Sequence, residues 1–535
     1  MQTIKQITPI LCFFWMLFSG LHFNEVFAQA DYYVNQNTPC TTGCDGTSWA
    51  KAFDNLQAAI DVAAANDEIW VAEGTYLPSK DKDGSVNPAD NRDKTFYFNK
   101  DVKIYGGFPN TDNPSMADRD WENYPTILSG DFDNNDIPIT DKTNADFPSQ
   151  NNEKNAYTVV HTYQRSSVFT IDGFFIQGGN SDSSGGGMYN KESNPTLTNC
   201  IFSNNSGHNG GGMRNNLSNP TLTNCIFSNN SGHNGGGMDS FVSSPALTDC
   251  SFFNNFANYG GGMNNSSCDN IILTNCIFSN NSANFSGGGV SNSSCDNVIL
   301  TDCSFFSNHT GSTGGGMYST DDNITLINCG FSNNSASSGG GMYNASQVNT
   351  TLTNCSLSNN SASSGGGVLN TYQGNTTFTN CILWNNGSEI HNQGAATPTV
   401  TYSIVQGDYA GTGNLNQNPL FLDPVNNNLQ IPPCSPAINA GNKDADLDGV
   451  GADTQTIEDI PTDLAGNTRV IDGFVDMGAY EASETVVDIT VTITGDLEYC
   501  ASDNLTTLDA GSRASYPCSN NEDTQTIEAT PGTYT

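Results

Sequence analysis

The chain is predicted to be all-β, a right-handed parallel β-helix in which short strands stack coil upon coil. Three observations predict it. The stretch from Ser193 to Met213, SNPTLTNCIFSNNSGHNGGGM, recurs unchanged from Ser218 to Met238, and weaker copies continue beyond Val368, giving eight repeats of about 26 residues. Triple glycines begin at Gly185, Gly210, Gly235, Gly260, Gly287, Gly314, Gly339 and Gly365, each followed by Met or Val. Cysteine recurs in a third column at Cys200, Cys225, Cys250, Cys276, Cys303, Cys329, Cys355 and Cys381, with Phe or Leu two residues later. One repeat cannot bury its own apolar side, so neighbours must stack, at about 4.8 Å per coil.

The chain divides into five stretches. Residues 1–30 carry Lys5, an apolar run from Ile10 to Phe23 and then Ala28-Gln29-Ala30, the order of a cleavable secretory signal. The apolar run is shorter than the roughly 20 residues a membrane span needs, and no later segment reaches that length. Residues 31–165 form an N-terminal cap with the first coils. Phe53, Leu56, Ala59, Ile60 and Ala63 make the apolar face of a capping helix, and IWVAEGTY follows as the expected first strand. The repeats occupy 166–434, a closing segment 435–482, and a further β module 486–535.

Within a repeat, Leu197, Cys200 and Phe202 point inward if Asn199 is a corner that resets the alternation of side chains. Asn tolerates positive φ, and its amide can bond to the next coil. Asp249 and Asp302 stand at equivalent positions. The triple glycine predicts a second tight corner, and Met188 and its equivalents re-enter the interior as adaptable filler. Leucine-rich repeats share the spacing of LTNCIFSNN, but their return path is a helix or extended turn, whereas this return is Gly, Ser and Asn without helical periodicity.

The pairing of F-x-x-N (Phe202 to Asn205, Phe227 to Asn230, Phe331 to Asn334) with GGGM resembles the repeat of the chlamydial-type polymorphic outer-membrane (Pmp) proteins over roughly residues 180–390. It departs in having Gly where that family has Ala, and it shows no C-terminal transporter barrel, which argues against an autotransporter route. More broadly the chain resembles bacterial pectin-lyase-like surface proteins. That resemblance implies an adhesive or display role. SPAINAGN and DLAGNTRVIDGFVDMGAYE are similar to the closing segment of such proteins, and VDITVTITGDLEYC resembles the first strands of an immunoglobulin-like β-sandwich, so the expected module from 486 is a truncated one. The sequence ends at Thr535 inside an expected strand, which predicts a further C-terminal part.

Composition restricts the partners. The formal net charge is -38, with only 17 Lys and Arg and no basic cluster, so nucleic-acid binding is excluded. The expected localisation is secreted or at the cell outer membrane or cell surface. The expected partners are surface glycans or cell-surface proteins, met by a monomeric rod without a transmembrane segment.

Three groups carry candidate chemistry. Asp444, Asp446, Asp448 and Gly449 make D-x-D-x-D-G, the carboxylate spacing of a calcium loop, with Asp453 as a further ligand; Gln455 stands where an EF-hand needs Glu. The alternative is a solvated acidic turn. The cysteine column is expected to pack as buried thiols, because in-register side chains sit farther apart than a disulfide wants. Cys268 and Cys295, in the matching loops SSCDNIIL and SSCDNVIL, leave a cross-coil bridge open, and Cys40 with Cys44 can close a small loop.

No catalytic residue is assigned. His208 and His233 sit in identical GHN turns, and Asp321-Asp322 has no partnering Arg or Lys motif. The functional expectation is therefore a non-catalytic surface protein, with a polysaccharide lyase or glycoside hydrolase as the alternative. Outward Thr-x-Thr pairs such as Thr196 and Thr198 suit an ordered array facing ice or a crystalline glycan, and equally a plain solvated strand.

Overall fold

The computed structural model describes residues 30–37, 40–138, 149–150, 152–166, 169–320, 323–345, 349–372, 375–445, 461–482, 506–509 and 526–529. Most of them wind into a parallel β-helix. Three long parallel sheets of 13, 12 and 11 strands run along it, and a fourth, of six strands, accompanies the coils between Asn180 and Thr310. Strands pair in register with the equivalent strand one repeat away, as in Leu197 with Leu222 and Phe202 with Phe227.

The coil around Cys200 shows why the sequence bends where it does. Strand Thr196–Thr198 ends at Asn199, whose φ is 52°, and strand Ile201–Ser203 ends at Asn204, with φ 55°. Asn reaches this left-handed region at little cost because its short amide can bond locally. Strand Ser206–Asn209 then leads to Gly210, φ 72°, and strand Met213–Asn216 completes the turn. Close approach of the next coil makes the middle glycine obligatory: a Cβ on Gly261 would fall inside the carbonyl oxygens of Gly288 and Ser282.

The interior is a set of like-on-like columns. Leu197, Cys200, Phe202 and Met213 are fully buried, as are their equivalents in later coils. Phe202, Phe227, Phe252, Phe278, Phe305 and Phe331 stack with ring centroids 4.6–4.9 Å apart. The eight column cysteines are buried thiols; Cys200 Sγ donates to the Thr198 carbonyl at 3.2 Å.

A polar ladder runs through the same interior. Asn205, Asn230, Asn255, Asn281, Asn308, Asn334, Asn360 and Asn386, the Asn of each F-x-x-N copy or its equivalent, are buried. From Asn230 onward each amide oxygen accepts from the backbone N–H and the amide of the Asn one coil before, as Asn308 Oδ1 does from Asn281 N and Nδ2, both at 3.0 Å, whereas Asn205 Oδ1 accepts from Gly179 N. The last member, Asn386, donates its backbone N–H to Glu389 Oε1 at 3.0 Å, and its amide also meets that carboxylate. Burial holds the Glu389 carboxyl above its usual range.

The N-terminal end is closed by the helix Leu56–Val62, which buries Leu56, Ala59 and Ile60. Asn55 caps it by accepting from Ala58 N, and Lys100 Nζ donates to the carbonyls of Asp61 and Ala63 at 2.7 and 2.6 Å, where the helix dipole favours a cation. The first strand is Tyr32–Val34, ahead of the helix rather than after it; it pairs with Glu68–Ala72, so IWVAEGTY supplies the second coil. Three apolar residues, Tyr-Tyr-Val, carry too little alternation to be read as a strand before that pairing is known.

At the other end the long sheets stop at Ile404–Val405, short of residue 434. Residues 415–445 and 461–482 turn back along the outside as a strap. Asn380 Nδ2 donates to the Asn442 carbonyl, Asn328 Nδ2 to that of Thr462, and Ala479 N to Ser356 Oγ, at 3.0, 2.9 and 3.0 Å. Arg469, fully buried, donates to the Gly478 carbonyl at 2.6 Å and lies 3.2 Å from Glu481. Burial pushes the Glu481 carboxyl up to about 8 against the pull of Arg469.

The signal segment lies outside the described residues. Of the expected immunoglobulin-like module, the described residues comprise one antiparallel pair, Thr506–Asp509 with Thr526–Ala529. No helix among the described residues is long and apolar enough to cross a membrane.

Candidate functional site

The columns that break the repeat make the site. On the sheet that carries the methionines, the residue after each Met or Val faces outward, and there the sequence runs Arg214, Asp239, Asn264, Ser291, Tyr318 in successive coils. These five form the floor of a groove of about 650 Å³. Four coil spacings of 4.8 Å give it a length of roughly 19 Å along the solenoid axis.

Aromatic rings stand on both sides. Phe241, 41% exposed, projects from the same sheet, and opposite it rise Tyr259 and Phe285, 37% and 50% exposed, from the six-stranded sheet. Their rings lie 5.3 Å apart and continue a file that begins with His208 and His233, stacked at 4.8 Å. Apolar rings of this size left in solvent are costly unless something covers them. Asn209, Asn234, Ser266, Ser293, Ser312 and Thr313 complete the walls.

The floor holds one ion pair. Arg214 and Asp239 contact each other through Nη1 and Oδ2, and Asn264 Nδ2 donates to Asp239 Oδ1 at 2.7 Å. Both charged side chains are largely covered, 15% and 2% exposed, and burial lowers the Arg214 guanidinium from its ordinary value. The guanidinium also lies 5.7 Å from the Phe241 ring. Among the described residues that line the groove, Asp239 is the single carboxylate and Arg214 the single cation.

The sequence-derived candidates fall elsewhere. Asp444 is exposed and holds Lys443 Nζ at 2.6 Å, while Asp446, Asp448 and Asp453 lie outside the described residues, as do Asp321 and Asp322. Among the described residues no cluster of three His, Cys, Asp or Glu is placed to hold a metal ion. Cys40 and Cys44 form a disulfide with Cα atoms 5.5 Å apart.

Cys268 and Cys295 correct the expectation of a flexible loop. Both are fully buried thiols, and Cys268 Sγ donates to the carbonyls of Ser240 and Ser266 at 3.4 Å. The two extra residues of these repeats lengthen a strand, through corners at Asn270 and Asn297, instead of making a loop. In-register stacking then holds the two thiols as side-by-side neighbours. The Thr-x-Thr face is interrupted too, since Thr351 and Thr353 are buried.

None of the groove residues stood out from the sequence. The one signal available was the contrast between columns: Met, Cys, Phe and Asn repeat, whereas the position after Met changes chemistry at almost every coil.

A family model described as a right handed β-helix region matches residues 158–313. Comparison with curated proteins gave no match. Among solved structures the chain is similar to pectate lyase Pel9A, with TM-score 0.40 and 13% identity over 84% of this chain and 96% of that one. It is similar also to XylC in complex with xylose, with TM-score 0.40 and 10% identity over 84% and 99%. The tailspike protein gp49 of Acinetobacter baumannii bacteriophage Fri1, a capsular polysaccharide depolymerase, aligns with TM-score 0.31 and 12% identity over 71% and 57%. At these identities the likeness is one of coil architecture, and the activities in those names belong to those proteins.

Proposed function

We propose that the chain is a non-catalytic exported surface protein, used for adhesion or display, that holds an extended glycan along the groove. The observation that carries this reading is the groove's make-up: exposed rings of Phe241, Tyr259 and Phe285 around a floor and walls of amides and hydroxyls. Rings stack on the apolar faces of sugars, and amides and hydroxyls both donate to and accept from sugar hydroxyls. The length of roughly 19 Å suits a chain of sugars better than a single one.

The charges support binding without hydrolysis. Glycoside hydrolysis calls on two carboxyl groups, about 5–9.5 Å apart, flanking one bond. Asp239 is the one carboxylate among the described lining residues, and its oxygens face Arg214 and Asn264. A signal-like leader and an acidic, Lys-poor composition support export to the surface.

The test is a glycan array with the intact chain, run beside assays for new reducing ends and unsaturated products. The expected result is retention of at least one glycan class without products, weakened 5- to 30-fold by Phe285→Ala, about 1–2 kcal/mol. Product formation abolished by Asp239→Asn would establish an enzyme instead.

A further inference from the structure

We infer that the glycan held in this groove is uncharged, and that calcium does not recruit a uronate polymer to it; this rests on the groove being a glycan site. The only cation among the described residues that line the groove is already neutralised. Arg214 contacts Asp239 directly, and the pair is sequestered at 15% and 2% side-chain exposure. A uronate carboxylate entering here must compete with a fixed internal carboxylate for one guanidinium, and pay desolvation to do so.

The remaining described lining is uncharged. Tyr259, Phe285 and Phe241 supply ring faces, and Ser266, Ser293 and Thr313 with Asn209 and Asn234 supply hydroxyls and amides. Such groups satisfy ligand hydroxyls as well as they satisfy each other, as Asn234 Nδ2 donating to Asn209 Oδ1 at 2.8 Å illustrates. They give a carboxylate no cationic partner.

A divalent cation cannot bridge the gap at this place. Calcium draws its ligands from carboxylate and carbonyl oxygens, preferably several carboxylates. Among the described residues Asp239 is the one carboxylate lining the groove, and its two oxygens face Arg214 and Asn264 Nδ2. The long-range field acts in the same direction: at a formal net charge of -38 the molecule repels polyanions before they reach any groove.

The inference therefore assigns the ligand's charge as well as its course along the solenoid axis. Asp239 is a specificity-determining residue in this account, because it occupies Arg214 and keeps a uronate from using it. Removing its charge while keeping its shape frees Arg214 for an incoming carboxylate, at a cost in stability because the covered guanidinium loses its partner.

The experiment is titration calorimetry of the intact chain with an uncharged linear β-glucan oligosaccharide and an oligogalacturonate of equal length. Each is run at physiological ionic strength, with calcium chloride and with chelator. The expected result is binding of the uncharged chain that is unaffected by calcium, with oligogalacturonate at least about tenfold weaker in both conditions. Asp239→Asn is expected to shift the ratio of the two affinities about tenfold toward the uronate. Phe285→Ala, a change at an exposed ring, is expected to weaken the uncharged ligand without altering the ratio.

Tighter binding of oligogalacturonate by the wild-type chain, with or without calcium, overturns the inference and leaves the glycan reading standing. An Asp239→Asn variant that remains folded at the assay temperature and shows an unchanged ratio also overturns it. If neither these two ligands nor any glycan of the array binds, the groove reading itself fails and the inference falls with it.

Discussion

An asparagine buried in an apolar column is expensive unless all its polar atoms are paired, and this chain buries one in every coil of its interior ladder. Asn281 shows the accounting: its Nδ2 donates to the Phe252 carbonyl at 2.8 Å and to Asn308 Oδ1, and its Oδ1 accepts from Asn255 N and Nδ2. Asn281→Ala strands the partners on both neighbouring coils. We expect a loss of about 3–5 kcal/mol, read as a lower midpoint in urea, since each stranded buried group costs about 1–3 kcal/mol. The F-x-x-N pattern was visible in the sequence, but its burial was not, because Asn is a surface residue by habit and only stacking supplies its partners. The corners at Asn199 and Gly210 were legible, because a positive φ is a local demand that few residues meet.

Another residue-scale consequence concerns acid. His161 lies between Tyr97 and Tyr189, with ring centroids at 5.5 and 5.2 Å, and burial lowers its pKa to about 4. Because the folded value lies below the unfolded one of about 6.5, the unfolded chain takes up the proton first. Stability present at neutral pH is therefore lost as pH falls from about 6.5 towards 4, by at most about 3 kcal/mol at 1.36 kcal/mol per unit. His161→Gln should flatten that limb of the melting temperature against pH, and an unchanged limb would assign it to other groups.

At the scale of elements, the strap and the groove divide the outer surface between them. The strap covers the coils around Asn328, Ser356 and Asn380, and its own integrity centres on Arg469, buried among Asp463, Asp476 and Glu481. Removing one partner of such a cluster leaves buried charge uncompensated, so Arg469→Ala should cost about 3–5 kcal/mol within the strap. The expected signature is early proteolysis between residues 415 and 482 while the coils stay protected, because a solenoid's stability is spread over neighbouring units. Simultaneous cleavage of strap and coils would show that the two melt as one. DLAGNTRVIDGFVDMGAYE gave the closing role away by resemblance, but not its lateral course, since no periodicity links Thr462 to Asn328. The groove was illegible for the opposite reason: Arg214, Asp239, Tyr259 and Phe285 stand where the repeat departs from itself, and self-comparison discards such positions as noise.

For the whole molecule, stacking in register fixes every distance along the axis, and both the interior ladders and the outer groove depend on it. One outward column makes this measurable. Thr198, Thr223, Thr248, Thr274 and Thr301 are successive partners on the longest sheet, which continues through Ile327, Thr353 and Thr379 to Thr401. Eight steps separate Thr198 from Thr401 and four separate it from Thr301. Spin labels carried on non-cysteine side chains, so that the buried thiols stay untouched, would report these intervals by pulsed dipolar spectroscopy. Stacked coils predict label separations of roughly 38 Å for Thr198 with Thr401 and roughly 19 Å for Thr198 with Thr301, in the ratio of the coil counts. Broad distributions, or separations that do not scale with the number of intervening repeats, would contradict the solenoid and everything built on its surface.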